Sequence, residues 1–237
     1  MKFTVCIPMY NESKIIAKTA KTLSSYMSEN FDDYEIIFSD DGSNDGSADI
    51  VKSLALPCVR VISYPDNRGK GSAVREAMLA STGDAVMFTD SDLAYGTDVI
   101  KQISEAFCEH PECDLVVGSR SIAKDGYDGY TLLRKVASKS YLALLKTVGG
   151  LKISDSQCGC KAFSGKAAKK VFSHCEVNRF AFDFEAILVA EKCGYKIHEI
   201  PVKVINHGDS KVNVLSDSIK MIRDIMKMKK RISKLKI

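Results

Sequence analysis

Apolar runs rich in β-branched residues recur at 3–8, 34–39, 58–63, 84–88 and 114–118. Between them, at 12–28, 45–55, 70–80 and 98–108, apolar residues return at helical spacing. Continuous apolar strands separated by helices predict a parallel sheet covered on both faces. Pro8, Gly42, Gly69 and Gly83 punctuate the element ends. The second half reads differently. Residues 129–148 predict a long amphipathic helix with Leu132, Leu133, Val136, Tyr141, Leu144 and Leu145 on one stripe. A polar, Gly-rich loop runs from Gly149 to Gly159, residues 183–192 read as helix, and 196–205 as strand interrupted by Pro201. A last helix is expected from about 213 to 235, with Ile219, Ile222, Ile225, Met226, Ile232 and Leu235 at helical spacing. Without repeats or a clear linker, the simplest organisation is one domain with a C-terminal extension.

Composition changes this picture little. Of 237 residues, 45% are hydrophobic and 27% charged, which excludes disorder, collagen and a disulfide miniprotein. No apolar run approaches the roughly 18 residues of a membrane span. The first residues enter a strand directly, so no signal peptide is read and a cytoplasmic chain, or one peripheral on the cytoplasmic face of a membrane, is expected. Charge changes more. The formal net charge is +4, yet residues 220–237 hold eight basic side chains and one acidic, leaving the body mildly negative. That argues against a nucleic-acid surface. A basic amphipathic helix at 213–237 suits an anionic membrane interface, or packs on the body or a partner. The eight cysteines form no C-x-x-C pair and no zinc-site spacing, and read as reduced, mostly buried thiols. His110, His174, His198 and His207 are scattered and read as structural or surface groups.

In open α/β sheets ligands bind beyond the carboxyl ends of the strands. Four polar clusters stand there: Met9-Tyr10-Asn11-Glu12, Asp40-Asp41-Gly42-Ser43, Thr89-Asp90-Ser91-Asp92 and Ser119-Arg120. Alone, each is an ordinary turn or helix cap; together they predict one site. Asp90 and Asp92 alternate at a strand end and point to one side. Two carboxylates held that way suit Mg²⁺ or Mn²⁺ with open positions for phosphate oxygens. Arg68 and Lys70 stand at the start of the helix 70–80, where free N–H groups suit an anion. Arg134 and Ser138 lie four apart and share a helix face, where arginine binds phosphate bidentately.

Ile7-Pro8-Met9-Tyr10-Asn11-Glu12, Asp40 to Ser47, Asn67-Arg68-Gly69-Lys70-Gly71 and Asp90-Ser91-Asp92 resemble, in order and spacing, the family 2 glycosyltransferases of GT-A fold. Gly118-Ser119-Arg120, Asp155 to Lys161 and Arg179 to Glu185 look most like dolichyl-phosphate β-glucosyltransferases, then polyprenyl-phosphate mannosyltransferases. The resemblance implies an α/β GT-A fold, a mostly parallel central sheet with helices on both faces, to which the amphipathic C-terminal helix is added. It implies a catalytic domain over 1–212, with a nucleotide-sugar half (1–120) and an acceptor half (121–212). Pro8, Tyr10 and Glu12 would line the nucleobase and ribose pocket. Asp40 or Asp41 would hydrogen-bond base or ribose. Asp90, Ser91 and Asp92 would contact donor and metal. Asp155, Gln157 and Asp183 would bind the sugar or hold loops, Asp155 or Asp183 serving as base if the acceptor were an alcohol. Arg120 with Arg134 and Ser138 resembles a lipid-phosphate clamp, and Lys211, in His207-Gly208-Asp209-Ser210-Lys211, would meet the donor diphosphate. Ala94 stands where the mannosyltransferases often carry a further metal ligand, which favours the glucosyltransferase branch. The implied activity is metal-dependent, inverting transfer of a hexose, glucose from UDP-glucose, to a polyprenyl phosphate. Alternatives are mannosyl transfer from GDP-mannose, a polysaccharide hydroxyl acceptor, and a non-catalytic membrane-associated nucleotide-binding protein. A pyrophosphorylase lacks its Gly-rich N-terminal signature here, and a dehydrogenase its G-x-G-x-x-G after the first strand.

Overall fold

The computed structural model describes residues 1–127, 142, 145–179, 181–205 and 225–237. Strands and helices alternate first: β1 (Phe3–Met9), α1 (Ile16–Asn30), β2 (Tyr34–Asp40), α2 (Ser47–Ser53), β3 (Val59–Ser63), α3 (Lys70–Ala80), β4 (Ala85–Phe88), α4 (Asp98–Glu109) and β5 (Leu115–Ser119). A π turn (Leu145–Gly149), β6 (Lys161–Ser164), α5 (Gly165–Phe172), α6 (Phe182–Lys192) and β7 (Ile197–Pro201) follow. Residues 225–233 form a last helix, α7.

The strands order as β3-β2-β1-β4-β6-β5-β7. All pairs are parallel except those of β6, which runs antiparallel between β4 and β5. The expected sheet is therefore observed, with differences that have local causes. α1 begins at Ile16 rather than 12, because the N–H groups of Ile15 and Ile16 both close onto Glu12 O as a turn. β6 and α5 were not expected. A four-residue strand, Lys-Ala-Phe-Ser, is too short for a period, and its paired partners lie 44 or more residues away in sequence. β7 is an edge strand, and its last paired residue is Pro201; Val202 N closes that pair onto Ser119 O at 3.1 Å, so the proline's missing N–H falls on the open side.

Alternate strand residues feed two apolar layers. Phe3, Val5, Ile7 and Met9 pack with α1, α2 and α4; Cys6, Val86 and Phe88 pack with α3, α5 and α6. α7 joins the second layer through Ile225, Met228 and Ile232, which are 1%, 3% and 5% exposed; Met226, expected on the stripe, is 61% exposed, because it stands one residue after Ile225 and so about 100° round the helix from it. Burying each such side chain contributes about 1.5–3 kcal/mol, so of the alternatives left open for this helix, over 225–233 the apolar stripe packs on the body. Ile219 and Ile222 lie outside the described residues. So do most of the helix expected at 129–148, with Arg134 and Ser138, and the loop carrying Lys211. Among the described residues no helix is long and apolar enough to cross a membrane. Cys6, Cys113, Cys158, Cys160 and Cys175 are buried free thiols, Cys193 is half-buried, and Cys58 and Cys108 are exposed.

Candidate active site

The sheet places the exits of β1, β2, β4 and β5 along one edge, and side chains knit them together. β1 and β2 run in register to Met9 and Asp40. Beyond them Asn11 N donates to Ser43 Oγ at 2.9 Å, Asn44 N to Asn11 Oδ1 at 3.0 Å, and Glu12 N to Ser47 Oγ at 2.9 Å. Pro8 is buried within β1, whereas Tyr10 is 42% exposed at its exit. Asp40 is buried at the end of β2.

Asp41 is committed to the neighbouring loop. Its Oδ1 accepts from Tyr64 OH at 2.7 Å and Arg68 N at 2.9 Å; its Oδ2 accepts from Asn67 Nδ2 at 2.9 Å and Gly69 N at 2.8 Å. A carboxylate has about four acceptor positions. Of the alternatives Asp40 and Asp41, the second is thus an organiser of residues 64–69 rather than an open acceptor for a base. Arg68 lies over the Tyr64 ring, 4.4 Å from its centroid. The free N–H groups expected at the start of α3 are taken as well. Gly71 N and Ser72 N both donate to Asn178 O, at 2.8 and 3.3 Å.

Lys70, the first residue of α3, turns inward and pairs with Asp90 Oδ1. Burial opposes its charge, but Asp90 and Asp183 outweigh that and hold Lys70 above the ordinary lysine value. Asp90 is pressed from its other side by the loop before β6, where a Cβ on Gly159 would stand 2.4 Å from Asp90 Oδ2. Tyr95 OH accepts from Gly159 N at 3.3 Å and helps fix that loop. Asp92 accepts from Ala94 N at 3.0 Å. Burial, then repulsion from Asp90 and from Glu12, raises its carboxyl above the usual range. Ser91 is buried and its carbonyl accepts from Thr19 Oγ1 at 2.6 Å.

Asp183 opens α6 and is held by Lys161 Nζ at 2.7 Å. Lys161 is fully buried in β6; it also donates to Cys158 O and stands 5.6 Å from the Phe88 ring centroid. Burial raises the Asp183 carboxyl, with Lys161 and Lys70 opposing. Arg120 and Asp155 form a second buried pair, 11% and 3% exposed, with Nε–Oδ2 2.7 Å and Nη2–Oδ1 3.0 Å. Burial by itself would raise Asp155, but the hydrogen bonds and charge of Arg120 outweigh it and hold the carboxyl below its usual value. Arg120 thus spends Nε and Nη2 on Asp155. Gln157 N also donates to Asp155, at 3.1 Å, while its side chain is exposed. Lys161 and Tyr95 were missed as members of this cluster. A charged residue heading the short run Lys161-Ala162-Phe163 was the available signal for Lys161.

Among the described residues no three His, Cys, Asp or Glu side chains gather to hold a metal. Asp90 and Asp92 do fit a hard cation that takes its other ligands from a diphosphate. They are two acidic oxygen donors, and the repulsion raising Asp92 is what a divalent charge relieves.

The model of the family described as "Glycosyl transferase family 2" matches residues 4–172, a stretch containing β1 to α5, Lys70, Asp90, Asp92 and the Arg120–Asp155 pair. The chain belongs to glycosyl transferase family 2. This glycosyltransferase is 34% identical over 236 residues to a dolichyl-phosphate β-glucosyltransferase of Trichomonas vaginalis, covering 95% of this chain and 70% of that one. It is 29% identical over 241 residues to the dolichyl-phosphate β-glucosyltransferase of Dictyostelium discoideum, covering 96% and 74%. Among solved structures it is similar to glucosyl-3-phosphoglycerate synthase of Mycobacterium tuberculosis in complex with Mn²⁺, UDP and phosphoglyceric acid. The TM-score is 0.71 at 18% identity, covering 98% of this chain and 78% of that one. At that identity the likeness shows the fold, GT-A, as the sequence resemblance implied.

Proposed function

We propose that this glycosyltransferase moves glucose from UDP-glucose, with inversion, onto a polyprenyl or dolichyl phosphate. The names of the relatives support the acceptor and the sugar. The observation that carries the reading is the engagement of the two carboxylates an alcohol acceptor would need as base. Asp155 is locked on Arg120 and held below its ordinary value, and Asp183 is paired with buried Lys161. A phosphate monoester has a second pKa near about 6 and is largely dianionic at neutral pH, so it attacks without surrendering a proton. Its oxygen bonds to the anomeric carbon on the face opposite the nucleoside diphosphate. The bond to the diphosphate breaks as the new one forms, which inverts the centre.

Tyr10, Glu12 and Asp40 would contact base and ribose beside Pro8, while Asp41 and Arg68 would shape the loop that closes the pocket. Asp90 and Asp92 would hold Mg²⁺ or Mn²⁺, whose charge would stabilise the diphosphate as leaving group. Lys70 and Lys211 would add positive charge there. Arg134 and Ser138 would bind the acceptor phosphate, with Arg120 at its edge. The basic residues of 213–237 would make a peripheral membrane contact.

The test is incubation of the purified protein with Mn²⁺ or Mg²⁺, a short polyprenyl phosphate and a panel including UDP-glucose and GDP-mannose, read by mass spectrometry. Glucosyl-lipid formed only from UDP-glucose is expected. Mannosyl-lipid instead overturns the donor assignment, and product formed only on a sugar hydroxyl overturns the acceptor. Full turnover of Asp92→Ala at saturating metal would sink the metal assignment.

A further inference from the structure

Arg231 lies on α7, far along the chain from the donor cluster, yet a short relay joins the two. Its Nη2 pairs with Glu185 Oε1, and Nη1 donates to His174 O at 2.9 Å and pairs with Glu176 at 3.0 Å. The Glu185 side chain is fully buried. Its second oxygen, Oε2, accepts the N–H groups of Glu176 and Val177 at 2.9 and 2.8 Å. The next residues press backbone to backbone on the start of α3. Asn178 O accepts Gly71 N at 2.8 Å and Ser72 N at 3.3 Å. The approach leaves no room for a side chain: a Cβ on Gly69 would stand 2.3 Å from Asn178 O, and one on Gly71 2.4 Å from Val177 O. Lys70, between these two glycines, reaches Asp90.

We propose that Arg231 is a positioning residue for the donor site. By holding Glu185 it fixes residues 174–178, which cap α3 and aim Lys70 at Asp90. The proposal rests on the reading of the Lys70–Asp90 cluster as the donor site. α7 and residues 176–179 flank a cavity of about 310 Å³, so the ion pair rather than close packing ties them together there. Without the guanidinium, Glu185 keeps a buried charge with no counter-ion. It turns toward water and releases the N–H groups of Glu176 and Val177. The docking of the C-terminal helix is thereby coupled to donor affinity.

Arg231→Met, Arg231→Lys and a stability control, Ile103→Ala, decide it. Ile103 is buried in α4, in the apolar layer on the other face of the sheet. Two readouts are taken on the full chain: amide hydrogen exchange of the peptide covering 69–73, and binding of UDP with Mn²⁺. Arg231→Met is expected to speed exchange at Gly71 and Ser72 and to weaken UDP binding by about tenfold, an effect of roughly one lost polar contact. Arg231→Lys falls between, and Ile103→Ala lowers the melting temperature but moves neither readout. Unchanged exchange at 69–73 in Arg231→Met overturns the proposal, as does an equal change in Ile103→Ala. If the methionine variant does not fold, unchanged exchange and binding in Arg231→Lys overturn it. Faster exchange in a protein whose wild type binds no nucleotide overturns the donor reading, leaving the relay from Arg231 to α3 standing.

Discussion

Replacing Asp155 by asparagine removes one charge and reverses one hydrogen-bonding group while keeping the side chain's shape. All four acceptor positions of the carboxylate are used. Oδ2 takes Arg120 Nε at 2.7 Å and Arg120 N at 3.2 Å; Oδ1 takes Arg120 Nη2 at 3.0 Å and Gln157 N at 3.1 Å. Asparagine offers one acceptor oxygen and one NH₂, so it sets donor against donor for two of these contacts. With side chains only 11% and 3% exposed, little water reaches the broken pair. Removing one partner of a buried ion pair costs about 3–5 kcal/mol. For a chain of this length each kcal/mol lowers Tm by about 2–4 °C, so thermal unfolding at pH 7 should show a loss of roughly 6–20 °C. The pH dependence is a second check. Asp155 is held below its unfolded value of about 3.9, so its stabilisation is full above that pH and is lost as pH falls through the lower folded value. The gap between wild type and variant should therefore be full at pH 7 and close under acid. The double substitution Arg120→Met with Asp155→Leu should recover most of the stability, because both charges go together, yet remain inactive. A single variant within about 1 kcal/mol of wild type, or a gap unchanged into acid, would refute the reasoning.

Two further substitutions probe the same edge of the sheet. Gly159→Ala should abolish transfer with little change in fold, because its Cβ would stand 2.4 Å from Asp90 Oδ2 and 3.0 Å from Asp90 Cγ and must displace that carboxylate; normal turnover with normal metal dependence would show that Asp90 has slack. Lys161→Met should lower stability by about 3–5 kcal/mol, since it strips the buried partner from Asp183; calorimetry at neutral pH measures this, and a loss below about 1 kcal/mol would mean the Asp183 carboxylate finds water.

The alternation of apolar strand and helix over 1–120 needed no tertiary information. A parallel strand buried on both faces writes itself as a continuous apolar run, and the polar residues just after each run mark the ligand edge. Asp90 and Asp92 were legible for that reason. Three other features were decided only in three dimensions. β6 exists because β4 and β5 offer it two open edges, not because Lys161 to Ser164 has a pattern. Asp41 and Asp155 look like free carboxylates along the chain, but whether a carboxylate binds a ligand or a neighbour depends on which donors the fold brings within 3 Å of it, here the 64–69 loop and Arg120. The apolar stripe of α7 was legible in part as a period of 3.6 residues, with exposed Met226 read in place of buried Met228. A period states that one face seeks an apolar surface, and Ile225, Met228 and Ile232 found theirs on the body, where Arg231 meets the buried charge of Glu185.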